Sequence, residues 1–156
     1  GGIGIPPLYA LASRLITASG RTDGIRLING ARRSDLLVAC DRINLLGIRQ
    51  TVMTDDGSSG TAGSVLDGMI SDIHLNGHPD IVYACGPTPM LRAVSDHCNQ
   101  LGLPCQVCLE TVMMCGVGVC MGCVVEVRAA TTDSEYEYVR TCLEGPVFPS
   151  SRIIWE

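Results

Sequence analysis

Four cysteines constrain this chain more than any other feature of its sequence. Cys115, Cys120 and Cys123 fall within the nine-residue run CGVGVCMGC, and Cys142 follows after eighteen intervening residues, inside YVRTCLEGPVF. C-x4-C-x2-C…C is the plant-type spacing for a [2Fe–2S] cluster. Such a cluster needs four thiolates to converge on two bridged irons while the backbone between them curls around an anionic group. Gly116, Gly118 and Gly122 suit that task, because glycine tolerates positive φ and lets peptide N–H groups approach the sulfurs.

Other chemistries use cysteine differently. A structural zinc site takes four cysteines too, but it usually pairs two short C-x2–4-C hooks, and the second hook is missing here; zinc stays the alternative reading of these residues. A disulfide cage suits small secreted chains, and a Rieske centre needs two histidine ligands. The three histidines, His74, His78 and His97, all lie away from the cysteine run. Nine cysteines is an odd number, which points to a reducing compartment and a metal site rather than full disulfide pairing. A net charge of −5 gives no general attraction to nucleic acid or to an anionic membrane, so any phosphate must be bound locally. No apolar run approaches the length of a membrane span and no charged-then-apolar leader opens the chain, so the expectation is a cytoplasmic, soluble protein.

Residues 1–109 alternate between helical and strand patterns. Leu8, Leu11, Ala12, Leu15 and Ile16 repeat as one helical face, IRLIN (25–29) reads as a strand, and Ser34 is placed to cap a helix through DLLVACDRINLL. IRQTVM (48–53) is a second strand, followed by the turn-rich loop TDDGSSGTAG. Val65, Leu66, Met69, Ile70 and Ile73 form another helical face. DIVYAC (80–85) is a strand, Met90, Leu91, Val94, Cys98 and Leu101 line a helix, and CQVCL (105–109) closes the series. Alternation at this period predicts a doubly wound parallel sheet with helices on both faces, an α/β fold. Beyond Leu109 the pattern changes: VVEVR (124–128) and YEYVR (136–140) flank the polar TTDS and predict a hairpin that returns Cys142 to the other cysteines. The expected division is a nucleotide-binding domain at 1–109 and a small β-hairpin [2Fe–2S] lobe at 110–156.

Two segments carry nucleotide signals. Gly2-x-Gly4-x-x-Pro7 is a variant phosphate-binding turn that opens a helix, with proline where a third glycine is usual. In a βαβ unit a strand precedes such a turn, and none does here, so the sequence is expected to be a fragment lacking at least one strand. Cys85-Gly86-Pro87 ends a predicted parallel strand, where ligands of open α/β sheets bind; it is equally the composition of an ordinary strand-to-helix turn with a buried cysteine. Arg32 and Arg33 follow the first strand, where an arginine accepts a 2′-phosphate and an acid favours NAD, which leaves NAD or NADP open.

GGIGIPPLYALA, TDDGSSG, CGPTPMLRAV, CGVGVCMGCVVEV and RTCLEGPVF occur in one order over essentially the whole chain. Together they resemble the electron-transfer (iron–sulfur, flavin-containing) subunits of NAD-dependent dihydroorotate dehydrogenases, a branch of the ferredoxin-reductase-like flavoproteins. The pairing of CG-x-G-x-C-x-GC with C-x-x-GPVF is the most specific part. The resemblance implies Cys115, Cys120, Cys123 and Cys142 as cluster ligands, and Gly2, Gly4, Ile5 and Pro6 at the dinucleotide phosphates. It places Cys85, the catalytic candidate, with Gly86 and Pro87 beside the nicotinamide and flavin, and Asp55, Asp56 and Gly57 on a loop of the nucleotide side.

The same resemblance implies an oxidoreductase subunit that moves electrons between NAD(P), FAD and the cluster. Its expected partner is an FMN-containing dihydroorotate dehydrogenase catalytic subunit of pyrimidine biosynthesis. The family's flavin barrel, with its arginine-aromatic-serine/threonine motif, is absent from these residues, so FAD is expected only in an intact subunit. Related subunits serving a sulfide dehydrogenase, a hydrogenase or a ferredoxin–NADP transhydrogenase are the nearest alternative. A zinc-stabilised, non-enzymatic nucleotide-binding module is the alternative of another class.

Overall fold

The computed structural model describes residues 1–129 and 134–155. Packing divides the chain into two compact units, Gly1–Pro79 with Cys85–Met90, and Asp80–Ala84 with Leu91–Glu156.

The first unit starts with helix α1, Ile5–Ser19, whose first turn holds Pro6 and Pro7. Proline is at home there, because the N–H it lacks would have no partner in the helix. The helix stops at Gly20, left-handed at φ 68°, whose N–H caps the Ile16 carbonyl at 2.8 Å. Strands β1 (Arg26–Ala31), β2 (Arg49–Thr54) and β3 (Thr61–Ala62) form a parallel sheet in that order, in register from Arg26↔Arg49 to Ala31↔Thr54. A short helix, α2 (Cys40–Asn44), lies between β1 and β2.

Successive strand residues point to opposite faces. Leu27 packs with Ile5, Ala12, Ile43 and Ile48 on the α1 side, bordered by Tyr9 and Ile16. On the other face lies helix α3, Val65–Asn76, so close that a Cβ on Gly68 would come within 2.9 Å of Met53 Cγ and 3.1 Å of Ile28 Cγ2. Both faces of this parallel sheet are covered by helix, as the alternating pattern predicts. The face of α1 is rotated from expectation: Ile5, Tyr9, Ala12 and Ile16 pack inward, while Leu15 is 41% exposed.

The helix expected from Ser34 breaks in two. A 3-10 turn at Ser34–Leu36, with Arg33 at its cap, is followed by α2, and Leu36, Val38 and Leu45 stay exposed. The cause is local. Buried Asn29 donates its side-chain amide to the Val38 carbonyl at 2.9 Å, and Ala39 turns left-handed at φ 62°.

In chain order there follow β4 (Val82–Cys85), α4 (Thr88–Leu101), β5 (Cys105–Cys108), β6 (Val124–Arg128), β7 (Tyr136–Arg140), α5 (Thr141–Glu144) and β8 (Val147–Pro149). A second sheet has the order β4-β5-β8, with β8 antiparallel to β5 so that Phe148 faces Val107. Leu91, Val94, Ser95 and Cys98 of α4 and Cys105 and Val107 of β5 are buried. Strands β6 and β7 form the expected antiparallel hairpin, in register from Val124↔Arg140 to Arg128↔Tyr136. Val127 bridges to Ile153. The turn expected at TTDS falls, for residues 131–133, outside the described residues. Among the described residues no helix is long and apolar enough to cross a membrane.

Candidate cofactor-binding sites

The first unit gathers its candidates at the carboxyl ends of its parallel strands, where open α/β sheets bind ligands. Gly1 to Gly4 form a 3-10 turn leading into α1. The Gly1 nitrogen donates to the Cys85 carbonyl at 2.7 Å, and a Cβ on Gly4 would lie 2.5 Å from that same carbonyl. A Cβ on Gly86 would lie 2.9 Å from the Gly1 nitrogen. Gly2, Gly4, Ile5 and Pro6 are thus brought together with Cys85, Gly86 and Pro87 by backbone contact that only glycine permits. Cys85 itself is 2% exposed.

The loop after β2 is stitched to the loop after β1. Asp55 N–H donates to the Ala31 carbonyl at 3.1 Å, Asp56 N–H to the Arg32 carbonyl at 3.2 Å, and Ser34 N–H to Ser58 Oγ at 2.8 Å. The two acids differ. Asp56 accepts from the Ser58 hydroxyl at 2.6 Å and the Ser58 N–H at 3.0 Å, which hold its carboxyl below the usual range. The exposed Asp55 carboxylate has no partner among the described residues. Gly57, at φ 71°, turns the chain behind them. Arg33 is tied to Asp35 in a bidentate pair at 3.1 and 2.9 Å. Sequence reasoning did not foresee Ser58 as the group that separates the two aspartates; serine three residues on in a turn-rich loop is the signal it offers.

In the second unit the segment 109–123 has no helix or strand. Val117 N–H approaches Cys115 Sγ at 3.5 Å and Gly122 N–H approaches Cys120 Sγ at 3.4 Å. The amide of Val117 first, then those of Cys120 and Val119 together with the Cys120 thiol, draw the Cys115 thiol down to about 6. A loop whose amides converge on one sulfur is a nest for negative charge. The neighbouring Cys123 thiol first, then burial, push the Cys142 thiol up, with a smaller push from Cys115, while the Gly118 N–H draws it down. Thr141 N–H donates to the Cys123 carbonyl at 3.0 Å, which fixes α5 and Cys142 against the third cysteine.

The four candidates therefore stand as two pairs, Cys115 with Cys120 and Cys123 with Cys142. Among the described residues no three His, Cys, Asp or Glu side chains gather as a single ion requires. Four thiols and amides directed at sulfur are a donor set that would suit a [2Fe–2S] cluster. Gly118 shapes the loop twice over: it is left-handed at φ 78°, and a Cβ there would collide with Leu143. Around the pairs, Val112, Met113, Met114, Val117, Val119, Met121 and Leu143 are exposed, Val119 to 81%. Arg140 and Glu144 flank Cys142, and the sequence reading missed both; their positions two residues either side of a ligand candidate are the available signal.

Known families match two segments of the chain. Residues 1–96 match the family described as the oxidoreductase NAD-binding domain. The chain belongs to that family. Residues 110–154 match the iron–sulfur cluster binding domain of dihydroorotate dehydrogenase B. The match is to an iron–sulfur domain and not to a zinc module. Relatives named "Dihydroorotate dehydrogenase B (NAD(+)), electron transfer subunit" are 35% identical in Caldanaerobacter subterraneus subsp. tengcongensis and 38% identical in Bacillus caldolyticus. Each match covers 99% of this chain, and 57% and 55% of the relative. The chain thus spans about half the length of the curated relatives it matches. A solved structure of an NADH-dependent reduced ferredoxin–NADP oxidoreductase, studied for flavin-based electron bifurcation, superposes with a TM-score of 0.80 at 31% identity. That match covers 99% of this chain and 52% of the other.

Proposed function

We propose that this NAD-binding, iron–sulfur chain is the nucleotide- and cluster-binding part of an electron-transfer subunit that serves a dihydroorotate dehydrogenase. The observation that carries the reading is the two-pair arrangement of Cys115/Cys120 and Cys123/Cys142 on an amide-lined loop, in a chain whose glycine turn sits at parallel strand ends. In this reading residues 1–109 bind the nucleotide and 110–156 bind the cluster. When bound, a nicotinamide supplies electrons as a hydride, a [2Fe–2S] cluster exchanges them singly, and a flavin converts between the two.

The chain's own residues position those groups. The Gly2–Gly4 turn and the start of α1 at Ile5 and Pro6 receive a pyrophosphate, which the helix dipole favours, with Ile5 keeping the N–H that Pro6 and Pro7 lack. Asp55, the acid with no partner, accepts the ribose hydroxyls of NAD and repels a 2′-phosphate; Asp56 and Gly57 hold its loop. Cys85, Gly86 and Pro87 close the turn on the far side of the glycines, where the resemblance places nicotinamide and, in the intact subunit, FAD. Cys115, Cys120, Cys123 and Cys142 hold the cluster.

The exposed apolar ring of Val112, Met113, Met114, Val117, Val119, Met121 and Leu143 is the docking surface for a redox partner, for which we propose an FMN-containing catalytic subunit of pyrimidine biosynthesis. An exposed apolar patch of this kind marks an interaction surface. In this reading the protein works in a reducing compartment, the cytoplasm, in keeping with its odd number of cysteines, nine.

Electron paramagnetic resonance of the dithionite-reduced protein, with iron and sulfide analysis, tests the cluster. The expected result is two irons and two acid-labile sulfides, and loss of the chromophore in Cys120→Ser with the nucleotide unit still folded. A single zinc, or an unchanged spectrum in Cys120→Ser, refutes the ligand set. A second reading is favoured by the ferredoxin–NADP oxidoreductase likeness: a related reductase subunit with another partner. Co-purification decides between them, an FMN-containing dihydroorotate dehydrogenase subunit supporting the first and a second flavin/iron–sulfur subunit the other.

A further inference from the structure

We infer that Arg140 tunes the electron affinity of the cluster site: its guanidinium is the fixed positive charge that favours the reduced state. This rests on the ligand set proposed above. Arg140 is the last residue of β7, two before Cys142, and three contacts hold its side chain and backbone in place. One guanidinium nitrogen donates to the Gly118 carbonyl at 3.2 Å, in the loop between Cys115 and Cys120. Another donates to Glu144 Oε1 at 2.8 Å, while the Arg140 N–H donates to Glu144 Oε2 at 2.7 Å. Glu144 thus grips the arginine from both its backbone and its head group.

The direction of this ion pair matters more than its existence. Arg140 stands two residues before Cys142, a member of one cysteine pair. Among the described residues the Glu144 carboxylate bonds to Arg140 alone, whereas the guanidinium also reaches the cysteine loop at Gly118. The positive end of the pair is therefore the end in contact with that loop. Arg140 also bonds to the loop of the other cysteine pair through Gly118, so it spans both halves of the site.

Four thiolates, two sulfides and two ferric irons carry two negative charges, and one added electron makes three. A fixed cation stabilises the more negative state more, so it raises the reduction potential; net charge and hydrogen bonding are established levers on such clusters. Arginine suits the role because it stays charged at any physiological pH and its planar fork makes several bonds at once. The pair is about a third exposed, so solvent weakens the effect without removing it.

The test is a redox titration of the cluster-loaded full chain, monitored by paramagnetic resonance. Arg140→Gln is expected to shift the equilibrium toward the oxidised state by about tenfold, which is about 59 mV for one electron. Arg140→Lys, which keeps the charge, is expected to stay close to the wild type. Glu144→Gln removes the opposing charge and is expected to shift the equilibrium the other way, toward the reduced state. An intact signal with an unmoved potential in Arg140→Gln overturns the proposal, as does a shift of the same sign in Glu144→Gln. Should Arg140→Gln fail to load a cluster, Glu144→Gln decides alone: a shift toward reduction supports the proposal and an unmoved potential overturns it. A wild type without the [2Fe–2S] signal overturns the ligand set first and this proposal with it.

Discussion

A single added methyl group is enough to test the nucleotide turn. A Cβ on Gly4 would sit 2.5 Å from both the carbon and the oxygen of the Cys85 carbonyl, and backbone cannot rotate out of the way as a side chain can. Gly4→Ala must therefore push the Gly1–Gly4 turn off the Cys85–Gly86 turn. The expected cost is about 1–3 kcal/mol of overpacking strain, and a drop in NADH affinity of about tenfold or more, equivalent to about 1.4 kcal/mol. Titration calorimetry measures the affinity, and an unchanged value removes Gly4 from the site. Asp55 offers the complementary test. On the proposed reading its unpartnered carboxylate selects against a 2′-phosphate, so Asp55→Asn is expected to narrow the preference for NADH over NADPH, while Asp56→Ala, which loses the Ser58 bonds, weakens binding of both. Equal selectivity in wild type and Asp55→Asn excludes that role. The glycines and the cysteine spacing were legible in the sequence because their constraints are local. The difference between Asp55 and Asp56 was not, since it depends on which carboxylate Ser58 reaches once the loop has folded.

Helix α3 shows how an element can be legible by its apolar face while its start goes unread. Ser64 and Asp67 cap it reciprocally: Ser64 N–H donates to Asp67 Oδ2 at 2.8 Å, and Asp67 N–H to Ser64 Oγ at 3.2 Å. Ser64→Ala is expected to cost about 1 kcal/mol in urea unfolding at neutral pH. The Ser64 hydroxyl, then its N–H, holds the Asp67 carboxyl below its ordinary value of 3.8. The folded state thus prefers the ionised form. The cap contributes fully above that ordinary value and fades as pH falls through the lower, folded one. The difference between wild type and Ser64→Ala should accordingly shrink between pH 5 and pH 2.5, and a constant difference would show that Asp67 is not part of the cap. The segment 34–46 behaved otherwise. Its apolar spacing predicts a helix, but Asn29, nine residues before Val38 in β1, takes the Val38 carbonyl that such a helix would use. Periodicity reports which residues are apolar and not which backbone groups a distant side chain will claim. The same limit applies to α1, where Ala12 and Ile16 meet the sheet as the period predicts but Ile5 and Tyr9 join them and Leu15 stays exposed.

At the scale of the whole chain, the two units owe their order to different physics. The first is a parallel sheet covered by helices on both faces, and its stability comes from apolar burial that needs no cofactor. The second contains residues 109–123, a stretch without helix or strand whose length is unusual in compact domains unless it serves a function. Its amides face sulfur instead of carbonyl oxygen, and its apolar side chains face solvent. Such a loop gains little from burial, so binding of the cluster is what should order it, as metal binding couples to folding elsewhere. Removing iron from the protein by anaerobic chelation is therefore expected to act on one part of the chain. Amide hydrogen exchange should accelerate in residues 110–123 and 140–146, including the Thr141 amide now bonded to the Cys123 carbonyl. Exchange in β1, β2 and α3 should stay as it was. Restoring iron and sulfide should return the protection. A uniform rise across both units would mean that the cluster supports the whole fold, and no rise at all would mean that the cysteine loop is ordered by packing the present contacts do not show.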